Sequence, residues 1–287
     1  MACVSAAGAQ ANVAAETILP RMVRPLVRAD STRQLHTGSR IAVAAQSLAR
    51  LPLQALIATS SLAPGATPPA GILRRSLLLE RADPHFVRTL GYAVGASAVV
   101  SLGDAAMMRG IASIRSTDGP GQKATVLAAS LGGVVPLSAG TLMWAGGTLF
   151  HHDGLRNLGS ESTQAVLLSG VLTIGIKGIV GRMRPNASPD DPDVYRPGRG
   201  FVNASSASFP SGHTSAAFAM ATVLSRELSA RFPRERWLIR GALYGAAGSV
   251  GLARMYQNAH WPSDVVTGAA LGTLSGMQVL SWNRGPR

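Results

Sequence analysis

His260 and Asp264 stand four residues apart in the segment ARMYQNAHWPSD, residues 253–264. If a helix begins at Trp261, this spacing lets the carboxylate reach the imidazole ring. An aspartate bonded to one ring nitrogen fixes the tautomer and leaves the other nitrogen free to attack an electrophile. An ordinary capping aspartate beside a surface histidine has the same spacing, so a nucleophilic histidine needs support from other segments.

A second histidine stands at the start of an apolar, alanine-rich stretch, SFPSGHTSAAFAMA, residues 208–221. Pro210 suits the first turn of a helix, and Ser211 is a good capping residue. The free N–H groups of a first turn, together with the helix dipole, bind anions. Gly212 lets a ligand approach the backbone closely, and His213 would then stand beside the bound anion. A histidine that merely ends a loop is the alternative.

A third segment, KGIVGRMRP, residues 177–185, is rich in cations. Lys177 and Arg184 are seven residues apart, so they project from the same face of a helix. Pro185 disfavours helix for the residue before it, so we expect the helix to end near Arg184. A lysine well inside an apolar segment costs about 2.5–3.5 kcal/mol and usually faces the bundle interior. Snorkelling of Lys177 to the nearest interface is the alternative.

Taken together, the three segments resemble the type 2 phosphatidic acid phosphatase and vanadium haloperoxidase superfamily, in its membrane-associated phospholipid phosphatase branch. The family pattern is lysine, six residues, Arg-Pro; then Pro-Ser-Gly-His; then Ser-Arg, five residues, histidine, three residues, aspartate. The matching positions are Lys177, Arg184, Pro185, Pro210 to His213, Arg254, His260 and Asp264. Ala253 stands where the family usually has serine. The resemblance covers roughly residues 85 to 282.

This resemblance implies a catalytic role for three residues: His260 attacks phosphorus and forms a phosphohistidine, Asp264 orients it, and His213 is the general acid. It implies that the phosphoryl oxygens are held by Lys177, Arg184, Ser211, Gly212 and Arg254. It implies no metal and no other cofactor. A neighbouring carboxylate tends to raise a histidine pKa, so we expect the surrounding cations to keep His260 neutral. Ala253 is expected to remove one hydroxyl contact to a phosphate oxygen.

The composition favours a membrane protein with an anionic substrate. Charged residues make up 14% of the chain and hydrophobic residues 46%, against about 25% charged in an average soluble domain. The net charge is +13, which suits an anionic substrate or membrane surface. Nucleic acid is not an expected partner, because no basic patch is interleaved with aromatic residues. Cys3 is the single cysteine, which excludes an internal disulfide and a cysteine-based metal cluster.

Apolar stretches recur at helical spacing from about residue 71 onward, without an alternating strand pattern. They predict an all-α, transmembrane bundle of about six helices with the active site at one rim; a soluble helical bundle also fits. Segments 124–150 and 265–282 are uncharged and long enough to cross a bilayer. The six stretches lie near residues 86–108, 124–150, 163–181, 213–230, 237–256 and 264–282.

The chain divides into two parts at about residue 70. Residues 1–70 are a basic N-terminal extension, either disordered or amphipathic, and residues 71–287 are the phosphatase-like helical domain. Arginines 231, 234 and 236 would lie at the end of the bundle opposite the three motifs, as the positive-inside rule expects for a cytoplasmic face. This predicts a plasma or inner membrane protein whose active site faces the non-cytoplasmic side. The basic loop at 109–123 goes against this orientation.

The function that these features favour is a metal-independent phosphoric monoester hydrolase acting on a lipid phosphate or diphosphate, with a phosphorylated lipid and the membrane as its partners. Two alternatives stay open: a soluble non-specific acid phosphatase, and a catalytically silent membrane protein that binds or transports phospholipids. The presence of both His213 and His260 argues against a silent protein, because binding alone needs neither a nucleophile nor an acid.

Overall fold

A computed structural model of the chain describes residues 84–116 and 120–284, and within these ranges the chain is built from helices. The predicted extension, residues 1–70, lies outside the described residues and stays a prediction. Two short 3₁₀ turns, Arg199–Phe201 and Ala204–Ser206, lie between the fifth and sixth helices. The described helices are α1 (Pro84–Ser101), α2 (Asp104–Ile114), α3 (Pro120–Ser130), α4 (Val134–Leu149), α5 (Asp153–Val180), α6 (Gly212–Arg231), α7 (Arg236–Tyr256) and α8 (Pro262–Arg284).

The described helices group into six units, as the sequence predicted. Helices α1 and α2 are separated by a short break and bent by 64°, and helices α3 and α4 are bent by 45°. The all-α prediction is confirmed, and the described residues contain no β-strand. The predicted uninterrupted stretch 124–150 is instead broken at residues 131–133, so it forms two helices rather than one.

Among the described helices, α5 is the one that is by itself long and apolar enough to cross a membrane, and up to three spans result if each bent pair counts as one. The sequence prediction selected segments 124–150 and 265–282. The first corresponds to the bent pair of α3 and α4, which qualifies if the pair is one span, whereas α8 does not qualify. Helix α5 begins at Asp153, ten residues before the predicted stretch at 163, which gives it 28 residues. Helix α8 has sufficient length, but its Gly, Ser and Thr residues lower its hydropathy.

Helix α5 ends at Val180 because Gly181 adopts the left-handed conformation, with φ of 64°, and donates its N–H to the Lys177 carbonyl. The sequence prediction that this helix ends near Arg184 was therefore four residues too long. A side chain at Gly181 would also collide with the Arg196 carbonyl oxygen, so this turn requires glycine. The turn leaves Lys177 in the last helical turn and sends Arg184 into the following loop.

Helix α6 is the central helix and packs against α5, α7 and α8. One of its sides joins a buried cluster of Ala165, Val166, Ala219, Val223 and Val279. The opposite side joins a second cluster of Ala217, Ala221, Ala247 and Val250. Burial on both sides explains why this helix is rich in small residues, since close approach leaves no room for larger ones. Its fixed position determines where His213, in its first turn, can lie.

The outer faces of the bundle carry many exposed large apolar side chains. Monomeric soluble proteins rarely expose apolar surface to this extent, whereas lipid tails solvate it well. Five strongly exposed examples, from four helices or their ends, are Leu102, Leu142, Leu149, Ile179 and Leu238. This surface is what a membrane-embedded bundle presents.

Helix α8 approaches α6 through three glycines at a spacing of four residues, Gly268, Gly272 and Gly276. A Cβ atom at Gly268 would lie 2.5 Å from the Ser211 carbonyl oxygen, and one at Gly276 would lie 2.8 Å from Cβ of Thr222. Small residues at this spacing let two helix backbones pack closely. The three glycines therefore set the distance between the helix that begins at Gly212 and the helix that carries Asp264.

We expect Gly272→Ala to destabilise the bundle, because the added methyl group would collide with the Ser215 carbonyl oxygen and lie 2.9 Å from the Ala219 nitrogen. Overpacking of this kind costs about 1–3 kcal/mol. Thermal unfolding of the purified protein in detergent measures the loss. Gly245→Ala in α7 is the matched control, because a Cβ there meets no atom within 4 Å. An equal shift of the unfolding temperature in both variants would contradict the close packing.

Candidate active site

The first motif of the family pattern, residues 177–185, brings Lys177 and Arg184 together at one carbonyl group. Lys177 donates from Nζ to the Ala207 carbonyl oxygen at 2.6 Å and to the Ser208 carbonyl oxygen at 3.1 Å. Arg184 donates from Nη2 to the same Ala207 oxygen at 3.4 Å. The helical face expected to align them does not exist, because α5 ends before Arg184. The loop after Gly181 folds back instead and places both cations beside the start of α6.

The second motif forms the start of α6, with Ser211 at the N-cap position. Its hydroxyl makes no capping hydrogen bond and instead shares one with the Thr214 hydroxyl at 2.9 Å. The Ser211 N–H donates to the main-chain oxygen of Asp264 at 2.9 Å, so it holds α6 to α8 rather than facing a ligand. A Cβ at Gly212 would lie 3.9 Å from Cε of Lys177, which places this helix start beside the first motif.

His213 lies against the break between α3 and α4, which the sequence analysis did not anticipate. A Cβ at Gly133 would lie 3.5 Å from Nε2 of His213, and one at Gly132 would collide with the His213 carbonyl oxygen. The ring is partly exposed. It also lies close enough to interact electrostatically with Arg254, Lys177 and Arg184. His213 therefore belongs to the same site as the three motif cations.

Arg254 comes from the last turn of α7 and completes a group of three cations. Its Nη1 donates to Oε1 of Gln257 at 2.6 Å, and Nε2 of Gln257 donates to the Thr125 carbonyl oxygen at 3.1 Å. The Nε atoms of Arg254 and Arg184 are buried donors without an acceptor in the described part of the chain. Lys177 interacts electrostatically with both arginines. Like charges held this close, with free donors, favour a bound anion.

His260 lies in the loop between α7 and α8 and is 2% exposed. Its Nδ1 lies 3.6 Å from Oδ2 of Asp264, within ion-pair range but longer than a hydrogen bond. That oxygen accepts hydrogen bonds from the Ser208 hydroxyl and from the Trp261 N–H. The predicted pairing of the His260 ring with the Asp264 carboxylate is therefore present as an ion-pair contact and not as a hydrogen bond. Because Nδ1 faces the carboxylate, Nε2 is the nitrogen on the other edge of the ring.

A buried ion network surrounds Asp264 and was missed by the sequence analysis. Arg182 donates from Nη1 to Oδ1 of Asp264 at 2.8 Å and from Nη2 to Oδ2 of Asp104 at 2.7 Å. Asp104, the first residue of α2, also accepts from the N–H and hydroxyl of Ser263. The only sequence signal was an acidic residue inside the apolar stretch 86–108, a position where a charge needs a partner.

Burial lowers the pKa of His260 to about 3, with repulsion from Lys177 and Arg184 adding to the effect and Asp264 opposing it. The sequence analysis assigned the neutrality of this ring to the surrounding cations. The cations contribute, but removal of the ring from water is the largest cause. A neutral imidazole keeps a free lone pair on one nitrogen, which nucleophilic attack requires.

Ala253, the departure from the family serine, is buried immediately before Arg254. It lines an apolar groove between α3 and α7 together with Ala124, Thr125 and Ala128. The expected loss of a hydroxyl contact to phosphate stays a prediction. Among the described residues, no three His, Cys, Asp or Glu side chains are grouped so that they could hold a metal ion.

The PAP2 superfamily model matches residues 163–285, the range that contains all three motifs. Over this range the chain is similar to the PAP2 superfamily. A lipid A 1-phosphatase from Porphyromonas gingivalis is 35% identical to this protein over 121 residues, covering 42% of the chain and 22% of the relative. A lipid phosphate phosphatase 1 from Arabidopsis thaliana is 39% identical over 129 residues, covering 38% of the chain and 39% of the relative. The chain thus spans less than half the length of these curated relatives.

The fold of this protein is also seen in a solved structure. A transmembrane PAP2-type phosphatidylglycerolphosphate phosphatase from Bacillus subtilis aligns with a TM-score of 0.50 and 21% identity. The alignment covers 70% of this chain and 97% of that structure. This likeness confirms the predicted all-α helical bundle.

The lowered pKa of His260 predicts how stability depends on pH. The unfolded chain protonates this ring below about pH 6.5, whereas the folded protein does so only near pH 3. The neutral buried ring thus contributes stability above pH 6.5 that is lost as the pH falls. Wild type should lose about 1.4 kcal/mol per pH unit relative to His260→Gln between these limits. Unfolding free energies of both proteins at pH 7, 6, 5 and 4 test this, and a pH-independent difference would contradict it.

Proposed function

We propose that this protein is a metal-independent phosphatase that hydrolyses a lipid phosphate or diphosphate through a phosphohistidine on His260. The observation that carries the proposal is the meeting of a buried neutral histidine with three cations drawn from separate segments. The relatives named as a lipid A 1-phosphatase and a lipid phosphate phosphatase support the substrate class. Phosphoryl transfer depends mainly on positioning and on neutralising charge, and this site supplies both.

In the first step, Nε2 of His260 attacks phosphorus as the bond from phosphorus to the leaving oxygen breaks. His213 gives its proton to that oxygen, so the leaving group departs as an alcohol or a phosphate. The ring of His260 gains a positive charge, because it keeps its Nδ1 proton and has bonded phosphorus through Nε2. The Asp264 carboxylate, with Oδ2 3.6 Å from Nδ1, stabilises that charge.

In the second step, water attacks phosphorus and the bond to Nε2 breaks, which returns His260 to its neutral form. His213, now neutral, takes a proton from the water and is ready for another turnover. Phosphate then leaves. His213 thus acts first as acid and then as base, His260 acts first as nucleophile and then as leaving group, and the protein is unchanged after one turnover.

Lys177, Arg184 and Arg254 hold the phosphoryl oxygens through both steps. The Nε donors of the two arginines are free to bond them directly. The first turn of α6 adds N–H groups that have no intrahelical acceptor, with the positive end of the helix dipole behind them. The Ser211 N–H is not among these, because it is bonded to Asp264. A divalent ion would supply the same charge neutralisation in other phosphatases.

The surface of the bundle supports a lipid substrate and a membrane location. Large apolar side chains face outward along most helices, while the three motifs meet at one end of the bundle. A lipid headgroup at the membrane surface would reach this end with its chains still in the bilayer. We further propose an inner or plasma membrane location with the site on the non-cytoplasmic side, because Arg231, Arg234 and Arg236 lie toward the other end.

Phosphate release tests the proposed activity. We expect the purified protein to hydrolyse at least one member of a panel of lipid phosphates and diphosphates in the presence of EDTA. His260→Ala should lower kcat about 10³-fold or more, because it removes the nucleophile. His151→Asn is the control, since this exposed histidine lies at the opposite end of the bundle. Activity abolished by EDTA, or retained in His260→Ala, would refute the mechanism, and faster turnover of soluble esters would refute the lipid preference.

Cysteine labelling tests the orientation in the membrane. In a Cys3→Ser background, Asp190→Cys adds a thiol to the exposed loop on the active-site side, and Arg234→Cys adds one to the exposed turn between α6 and α7. A membrane-impermeant maleimide added to intact cells should label Asp190→Cys, and should label Arg234→Cys only after the membrane is permeabilised. The opposite pattern would place the active site on the cytoplasmic side.

A further inference from the structure

Three ionised side chains form a network that lies fully inside the protein. Asp104, Arg182 and Asp264 are 0%, 1% and 0% exposed. Arg182 connects the two carboxylates, since one nitrogen of its guanidinium bonds each of them. Two carboxylates and one guanidinium leave the network with a single net negative charge. Burying a net charge is unfavourable unless opposite charges lie nearby, and Asp264 interacts electrostatically with Lys177, Arg184 and, when its ring is charged, His260.

Arg182 is held rigidly, which fixes the carboxylate it bonds. Its Nε donates to the Pro192 carbonyl oxygen at 2.8 Å. Its guanidinium carbon lies 5.5 Å from the centre of the Trp261 ring and 5.6 Å from that of the Tyr195 ring. With Oδ1 of Asp264 bonded to this fixed group, the carboxylate cannot rotate away. Its other oxygen, Oδ2, is the one that faces His260.

Asp104 changes the net charge of the network that faces His260. Arg182 taken alone would cancel the charge of Asp264, and a cationic ring on His260 would then face a neutral pair. Asp104 offsets the guanidinium, so the negative charge of Asp264 is not cancelled. Asp104 lies on a separate helix, α2, and hydrogen bonds from the Ser263 N–H and hydroxyl of α8 fix its position. Interactions between charges are strong at this depth, because little water screens them.

We propose that Asp104 and Arg182 are positioning residues for the reaction of His260: Arg182 fixes Asp264, and Asp104 preserves the single negative charge that stabilises the phosphorylated, cationic ring. This rests on the proposed phosphohistidine chemistry. Neither residue contacts the three cations that hold the phosphoryl oxygens. The network should therefore change the rate of phosphoryl transfer and leave the binding of phosphate unchanged.

Asp104→Asn is the first test, because it removes the charge and keeps the shape of the side chain. We expect kcat to fall on the order of tenfold or more, measured on the phosphate ester that wild type hydrolyses. The inhibition constant of inorganic phosphate should stay within about twofold of wild type. Acid-quenched single turnovers should show that the phosphoenzyme forms more slowly. A folded Asp104→Asn with wild-type kcat, or with equal losses in kcat and phosphate binding, would overturn the proposal.

The double variant Asp104→Asn with Arg182→Met separates charge from structure. It restores one net negative charge, on Asp264 alone, while removing more of the native contacts than the single variant. The charge argument predicts a kcat above that of Asp104→Asn, whereas a purely structural role predicts a further loss. If Asp104→Asn does not fold, the double variant decides alone, and a kcat at least about 100-fold below wild type would overturn the proposal.

Asp153→Asn is the matched control, since Asp153 forms an exposed ion pair with Arg156 at the other end of α5. It should keep wild-type kcat, because exposed pairs contribute little. Thermal unfolding of every variant shows whether the fold is retained. An inactive wild type, or an active His260→Ala, would refute the proposed function itself. An active wild type whose kcat does not respond to Asp104→Asn would refute only the role of the network.

Discussion

The carboxylate of Asp264 is the constraint on which the rest of the site depends. A buried carboxylate is costly unless donors surround it, and here the donors come from parts of the chain that are far apart in sequence. Arg182 follows α5, Ser208 precedes α6, and the Trp261 N–H precedes α8. Satisfying this one group therefore holds the ends of three helices in place. The motif cations and both histidines lie on those same ends or on the loops that join them.

Small residues allow these helix ends to come close enough. The glycines of α8 bring its backbone against α6, and the alanines of α6 allow neighbours on both of its sides. In a membrane, such packing replaces the hydrophobic driving force that water would provide. Along most of their length the helices are thus held by close backbone contact, whereas at the end that carries the three motifs they are held by buried charges and hydrogen bonds. The proposed chemistry takes place at that end.

The sequence contained enough information to predict the helical class and several of the residues that meet at one end of the bundle. Lys177, His213 and His260 belong to short patterns in which residue type and spacing carry the signal, and all three lie in one site. Arg182 and Asp104 were missed because they are 78 residues apart, so only the folded chain brings them together. The end of α5 was misplaced for a local reason, since the left-handed conformation of Gly181 outweighed the signal from Pro185.

The break between α3 and α4 gives the site one wall made of main chain. Gly132 and Gly133 lie directly against His213, so at these two positions the break presents only main chain to the ring that we propose as the proton donor. A bare peptide surface is flat and makes few distinctions of shape or charge among the groups that pass along it. In the proposed mechanism, leaving groups as different as an alcohol and a phosphate therefore meet the same proton donor on equal terms, and selectivity arises where the rest of the substrate is held.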